Sequence, residues 1–187
     1  MADALTGGDR ERAKLRYAKA ASIAVPSNVA YAATLSPSER AAWTGGVVLR
    51  KPTRTLSGVA VVAVMTAPAA CPHGRCTYCP GGLERGTPQS YTGEEPSALR
   101  GAQFQWDARA ITEHRLASLE ATGHSTSKVE VIVMGGTFPA RPRPYQETVV
   151  RGIFDGLNGR PSSSLAEAQA QNETAAHRCV SLTVETR

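Results

Sequence analysis

No apolar run in this 187-residue chain approaches the roughly 18 residues a membrane-spanning helix needs. No secretory leader is visible either, because the first apolar stretch is alanine-rich and follows a charged segment. Cysteine is scarce, with four in all. In a chain long enough to bury a real core, that excludes a disulfide scaffold and fits a reducing cytoplasm. Net acidity is missing too. The formal charge is +5, and it is unevenly placed. Residues 1–54 hold nine Lys and Arg (Arg10, Arg12, Lys14, Arg16, Lys19, Arg40, Arg50, Lys51, Arg54) against Asp3, Asp9, Glu11 and Glu39, while the rest balances twelve against twelve. A basic excess confined to one segment suits a phosphate-facing surface, and equally a solvated helix.

What is present is organised around Val59 to Gly82, VAVVAVMTAPAACPHGRCTYCPGG. Its apolar, valine-rich opening, Val59 to Met65, reads as a strand buried on both faces. A Pro/Gly-rich loop follows with Cys71, Cys76 and Cys79 in C-x4-C-x2-C spacing. Structural zinc wants four ligands, and His73, two residues from Cys71, is awkwardly placed to complete a tetrahedron. Cys179 lies about a hundred residues beyond Cys79, beside another apolar run, and reads as packed. A 4Fe–4S cluster on three thiolates would leave one iron open to a substrate. From spacing alone, cluster, zinc and reactive thiols all stay open.

Along the chain, residues 9–22 read as a helix capped by Asp9, with Leu15, Tyr17 and alanines on its packed side. Pro26-Ser27-Asn28 breaks it. Ser36-Pro37-Ser38-Glu39 is a capping box opening a short helix that should end at Gly45. Lys51-Pro-Thr-Arg54 links this basic helical segment (1–55) to a core domain (56–187). Gly81 to Gly93 is loop. A helical region, opened by Glu94-Glu95-Pro96-Ser97 and broken near Asp107, runs to Thr122 with Gly123 closing it. His114 reads as a surface residue and His124 as serving that turn. Lys128 to Met134 is a second strand, with Gly135-Gly136-Thr137 at its C-terminal end, where absent Cβ atoms let backbone approach a ligand. Pro144 to Leu157 is a helix with one apolar face, preceded by an exposed loop carrying Arg141 and Arg143. Ser162–Ser164 caps another helix reaching about His177, and Val180 to Thr186 is a third strand. Strands alternating with helices give an α/β class with a parallel sheet, the start of a partial (β/α) barrel. The chain stops at Arg187, at the edge of that strand, so a C-terminally truncated fragment is expected.

Four ordered stretches carry a resemblance: Cys71-Pro-His-Gly-Arg-Cys-Thr-Tyr-Cys-Pro-Gly-Gly, Thr87-Pro-Gln-Ser-Tyr-Thr-Gly-Glu-Glu-Pro96, Lys128-Val-Glu-Val-Ile-Val-Met-Gly-Gly-Thr-Phe138 and Thr183-Val-Glu-Thr-Arg187. In this order, from about Lys51 to the last residue, the chain resembles the radical S-adenosylmethionine (SAM) domain of the Elongator catalytic-subunit family, which modifies the tRNA wobble uridine. The resemblance implies a 4Fe–4S cluster on Cys71, Cys76 and Cys79, with the open iron chelating SAM and Gly135, Gly136 and Thr137 contacting it. It implies acetyl-CoA as co-substrate, bound by Lys128, although Ser127 stands where the family has Asp. Gln89, Tyr91 and Glu185 fall in matching motifs at the pocket, with no catalytic step assigned to them. The implied reaction is radical carboxymethylation of uridine 34 through a 5′-deoxyadenosyl radical, followed by thioester hydrolysis. The implied partners are the tRNA anticodon loop, met by Arg10, Arg12, Lys14, Arg16, Lys19, Lys51 and Arg54, and a homodimer or Elongator-type complex. The family continues into an acetyltransferase-like domain, so this stretch alone is expected to be inactive. The competing readings are another radical SAM enzyme and a zinc-stabilised RNA-binding module without catalysis.

Overall fold

The structure, a computed structural model, describes residues 7–44 and 51–186. These fall into two units, residues 7–44, 51–54 and 120–124 in one, 55–119 and 125–186 in the other.

The first unit holds helices α1 (Gly7–Ala21), α2 (Asn28–Ala33) and α3 (Pro37–Thr44). Asp9 lies inside the first turn of α1 rather than ahead of it, 3.8 Å from Arg12. Leu15, expected on the packed side, is exposed, whereas Ala13 and Tyr17 pack. A step of two residues turns a helix about 200°, so 13 and 17 cannot share a face with 15. Helix α2 was not foreseen. Ser27, read only as part of a break, accepts the Ala30 N–H at 3.2 Å and starts it. The capping box of α3 is formed, Ser36 N–H donating to Glu39 Oε2 (2.9 Å) and Glu39 N–H to Ser36 Oγ (3.3 Å). Its expected end at Gly45 lies outside the described residues. Tyr31 joins the helices, edge-on to Tyr17 (5.2 Å) and Trp43 (5.1 Å).

The second unit is a three-stranded parallel sheet in the order β1 (Ala60–Met65), β2 (Lys128–Met134), β3 (Arg178–Val184). Helices α4 (Pro96–Gln103) and α5 (Ala108–Glu120) connect the first pair, and α6 (Arg143–Asn158) and α7 (Leu165–Asn172) the second. Between α4 and α5, Gln105 and Trp106 take positive φ, and Asp107 Oδ1 then accepts the Ala110 N–H at 2.9 Å to open the next helix. Ala60, Val62, Val64, Val129, Val131 and Val133 share one face and are fully buried in a core with Ile111, Leu119, Ile153 and Leu157 of α5 and α6. The other face is partly open: Val61 is 40% exposed, and Ser181 and Thr183 are exposed. Burial of the first strand on both faces is therefore not found, because the core helices α5 and α6 cover the same side. Among the described residues no helix is long and apolar enough to cross a membrane.

Helix α7 ends at Asn172, five residues short of His177, because the Asn172 side chain takes over the connection to β3. Its amide donates to Asn158 Oδ1 (2.8 Å) and the His177 carbonyl (3.0 Å), and its Oδ1 accepts the Cys179 N–H (2.8 Å). The residue is buried, so each bond replaces water. Asn172→Leu is expected to cost about 1–3 kcal/mol, the penalty for buried groups left unpaired. It should appear as a lower urea midpoint at unchanged slope; an unmoved midpoint would show that this junction is held by packing alone.

Candidate functional site

Parallel pairing in register, Met65 opposite Met134, brings the C-terminal ends of β1 and β2 to one edge of the sheet, the edge where ligands bind in such sheets. Thr66 locks that edge, its N–H and its hydroxyl both donating to the Met134 carbonyl at 2.9 Å. Gly135 follows at φ +124°, where a Cβ would stand 2.4 Å from Thr66 Oγ1. Gly136, at φ +89°, would place a Cβ 3.0 Å from Gln89 Cβ and 3.3 Å from Cys71 Sγ. Both positions require glycine by backbone conformation and by space. The start of the cysteine loop is clamped from α6: Ala67 N–H donates to Tyr145 Oη (3.0 Å), and Arg141 donates to the Ala67 carbonyl (2.8 Å) while lying 3.9 Å over the Tyr145 ring. Arg141 is thus built into the loop rather than left in an exposed basic segment. Arg143 is exposed and pairs with Glu147 at 3.0 Å.

Cys71, Cys76, Cys79, Gly136, Thr137 and Glu185 line one cavity of about 200 Å³. None of the cysteines is in a disulfide. Each loop sulfur has a polar neighbour: Thr137 Oγ1 is 3.6 Å from Cys71 Sγ and His73 Nε2 is 3.3 Å from Cys76 Sγ. Cys79 Sγ accepts the Ser90 N–H and meets Gln89 Oε1, each at 3.1 Å. His73 stands beside a thiol, with no tetrahedral set around it. Among the described residues, no three Cys, His, Asp or Glu side chains are grouped to hold a single ion. Cys179 is excluded as a further ligand by position. It pairs with Val129 at the opposite edge of the sheet, half-buried, and burial pushes its thiol pKa up. Lys128 opens β2 at that same far edge, roughly 20 Å along the strand from the glycine turn. The structure does not bring Lys128 to the cavity.

The residue that sequence reasoning undervalued is Glu185. Its carboxylate accepts the N–H groups of Gly135 (2.9 Å) and Gly136 (3.3 Å) and the phenol of Tyr91. Burial first, then the carboxylate itself, pushes the Tyr91 pKa well upward, so the phenol stays a donor. No spacing rule links residues 91 and 185. Tyr78 was also missed, although its place between Cys76 and Cys79 was a signal. It is 78% exposed and lines the cavity, and a ring so presented offers a flat face to a planar ligand.

In the N-terminal unit, Arg12, Arg16 and Lys19 are exposed on α1, and Lys51 and Arg54 are exposed after it. The Arg10 side chain lies outside the described residues. Lys14 is a correction. It is 7% exposed, with Nζ 3.0 Å from Glu11, so it is not a surface contact for phosphate.

No family model matches the chain. It is 55% identical over 144 residues to the tRNA uridine(34) acetyltransferase of Methanocaldococcus infernus, covering 75% of this chain and 27% of that protein. It is 48% identical over 139 residues to the protein of that name from Dehalococcoides mccartyi, covering 74% and 30%. With human Elongator complex protein 3 it shares 44% identity over 145 residues, covering 73% and 26%. The solved structure of archaeal Methanocaldococcus infernus Elp3 lacking residues 1–46 superposes with a TM-score of 0.51 at 42% identity, over 70% of this chain and 23% of that one. The chain thus spans about a quarter of the length of the curated relatives it matches. On this identity, with the cysteine loop, the glycine turn and the Glu185 strand end folded at one sheet edge, the chain belongs to the family of the tRNA uridine(34) acetyltransferases and Elongator complex protein 3.

Proposed function

We propose that this chain is the radical SAM portion of an enzyme that modifies uridine 34 of tRNA. In this reading Cys71, Cys76 and Cys79 hold a 4Fe–4S cluster with one iron unligated by protein, and the Gly135–Thr137 turn seats SAM. The whole enzyme forms 5-carboxymethyluridine from acetyl-CoA. The observation that carries the proposal is one cavity at the C-terminal sheet edge, lined by three thiols and a Cβ-free turn, in a chain 44–55% identical to relatives named for this tRNA position or for Elongator.

Three thiols lining one cavity suit a cluster that takes each thiolate on a different iron and leaves one iron unligated by protein. When bound, such a cluster supplies the electron that radical cleavage of SAM requires. The chain supplies position. Glu185 holds the two glycine amides, so the turn is set before any ligand arrives, and Tyr145 with Arg141 fixes the loop's first residue. Helices α5 and α6 on one side of the sheet accord with a barrel whose inner face is the open one. Arg12, Arg16, Lys19, Lys51 and Arg54 are proposed for the tRNA backbone. The anticodon loop is single-stranded, so presenting its base costs little unstacking. Lys128 is proposed for acetyl-CoA on resemblance alone, and a homodimer or Elongator-type assembly is proposed on the same ground.

Anaerobic reconstitution is expected to give a brown protein with about four iron and four sulfide per chain, releasing 5′-deoxyadenosine from SAM on reduction. Cys76→Ala should lose most of the iron. Zinc at one per chain, in a colourless protein, would overturn the reading. For the substrate, the Arg12→Glu/Arg16→Glu pair should weaken anticodon stem-loop binding about tenfold and lower the salt slope by about one per lost phosphate contact. Affinity and slope both unchanged would remove tRNA from this helix.

A further inference from the structure

The three thiols are not equivalent. Cys79 is the buried one, 6% exposed, while Cys71 and Cys76 are partly open. Three groups converge on its sulfur, the Ser90 N–H, the Gln89 side chain and, at 3.4 Å, the Gly81 carbonyl. The Ser90 N–H donates at 3.1 Å from a backbone held at φ +73°, a conformation rare outside glycine. The Gln89 side-chain amide lies at 3.1 Å. Gln89 is itself 8% exposed and boxed in. A Cβ on Gly82 would stand 2.4 Å from its Oε1, and one on Gly136 would stand 3.0 Å from its Cβ. The loop carrying it is stitched by Thr87, whose Oγ1 accepts the Gly82 N–H (2.8 Å) and donates to the Tyr91 carbonyl (3.0 Å). The amide therefore cannot swing away to water.

A protonated thiol has two acceptors in reach, Gln89 Oε1 at 3.1 Å and the Gly81 carbonyl at 3.4 Å. A metal-bound thiolate carries no proton, and a buried carbonyl oxygen facing it would be repelled. An amide has an acceptor and a donor at nearly equal reach, so turning over in place presents an N–H instead. Cys79 would then accept two N–H bonds, from Ser90 and Gln89, in the least hydrated part of the site. Hydrogen bonds to ligand sulfurs and solvent exposure are among the factors that set an iron–sulfur potential.

We infer that Gln89 is a positioning residue that sets the reduction potential of the cluster: its side-chain N–H, with the Ser90 amide, stabilises the more negative, reduced state through Cys79. The inference rests on the cluster reading above. One added electron raises the charge on the sulfurs and makes or breaks no bond, so the donors matter more after reduction than before.

The test is a potentiometric titration, followed by electron paramagnetic resonance, of the anaerobically reconstituted chain. Gln89→Leu keeps bulk without a donor and is expected to lower the reduction constant about tenfold, a potential about 59 mV more negative for one electron. Gln89→Glu, which adds charge and offers only acceptors, should shift it further the same way. Iron content equal to the parent with potentials unmoved in both variants would overturn the inference and leave the cluster reading intact. Should a variant fail to take up iron, pulsed resonance on the unmodified chain decides. With ¹⁵N only in glutamine side-chain amides, a ¹⁵N coupling to the reduced cluster is expected, and its absence overturns the inference. A parent chain that takes up no iron overturns both.

Discussion

One carboxylate carries the arrangement of the site. Glu185 stands just past β3, yet its oxygens bind the Gly135 and Gly136 amides after β2 and the Tyr91 phenol from the loop after β1. Three connections that share no local sequence are thereby fixed to one another. The glycines have no side chains to pack, and positive φ costs them conformational entropy on folding, so their turn needs an external partner. Charge-assisted hydrogen bonds from backbone amides are among the stronger available. The upward push on the Tyr91 pKa, from burial first and then from the carboxylate, keeps its phenol protonated as the donor of the third bond.

The sheet makes that carboxylate useful. Parallel strands, with one irregularity between β2 and β3 at Val129/Glu130, deliver all three C-terminal ends to one edge, and Thr66 ties the first end to the second. The far edge receives Lys128 and Cys179 instead. Chemistry-bearing residues are thus sorted by parity and direction along the strands: the same β2 that ends in a cavity-lining turn begins in an exposed lysine. That geometry separates two residues, Lys128 and Gly135, that lie only seven apart in sequence.

Elements governed by local rules were legible in the sequence. The bounds of β2, the capping box at Ser36 and the break before α5 all follow from period, caps and turn residues. Readings that depend on distant partners failed or were absent. Leu15 looked packed on composition but sits opposite Ala13 and Tyr17. Lys14 looked like a phosphate ligand until Glu11 and burial claimed it. Valine in β1 was read as burial on both faces, but one face is partly open, because burial is set by which side the helices cross. The contacts of Asn172, Gln89 and Glu185 carry no periodic signature at all, for each joins elements whose approach only the fold decides.

The thirty residues between β1 and α4 contain only one short 3₁₀ turn, at Leu83–Arg85. Loops of that length without regular structure are usually either disordered or functional. Here the staples are side chains: Tyr145 and Arg141 at Ala67, Thr87 across Gly82 and Tyr91, and Glu95 receiving the Thr92 and Gly93 amides. The last set holds the Glu95 carboxyl below its ordinary pKa, so its contribution is present above the unfolded carboxylate pKa and is lost as pH falls through the lowered one. Each such bond contributes only about 1 kcal/mol net, against roughly 1–2 kcal/mol of backbone entropy per ordered residue. Side-chain staples alone therefore cannot outweigh the ordering of the segment from Pro68 to Arg85. Metal–thiolate bonds can, because their formation is itself folding free energy. Under the cluster reading proposed above, the group that Cys71, Cys76 and Cys79 would hold is also the strongest term for holding the loop's shape.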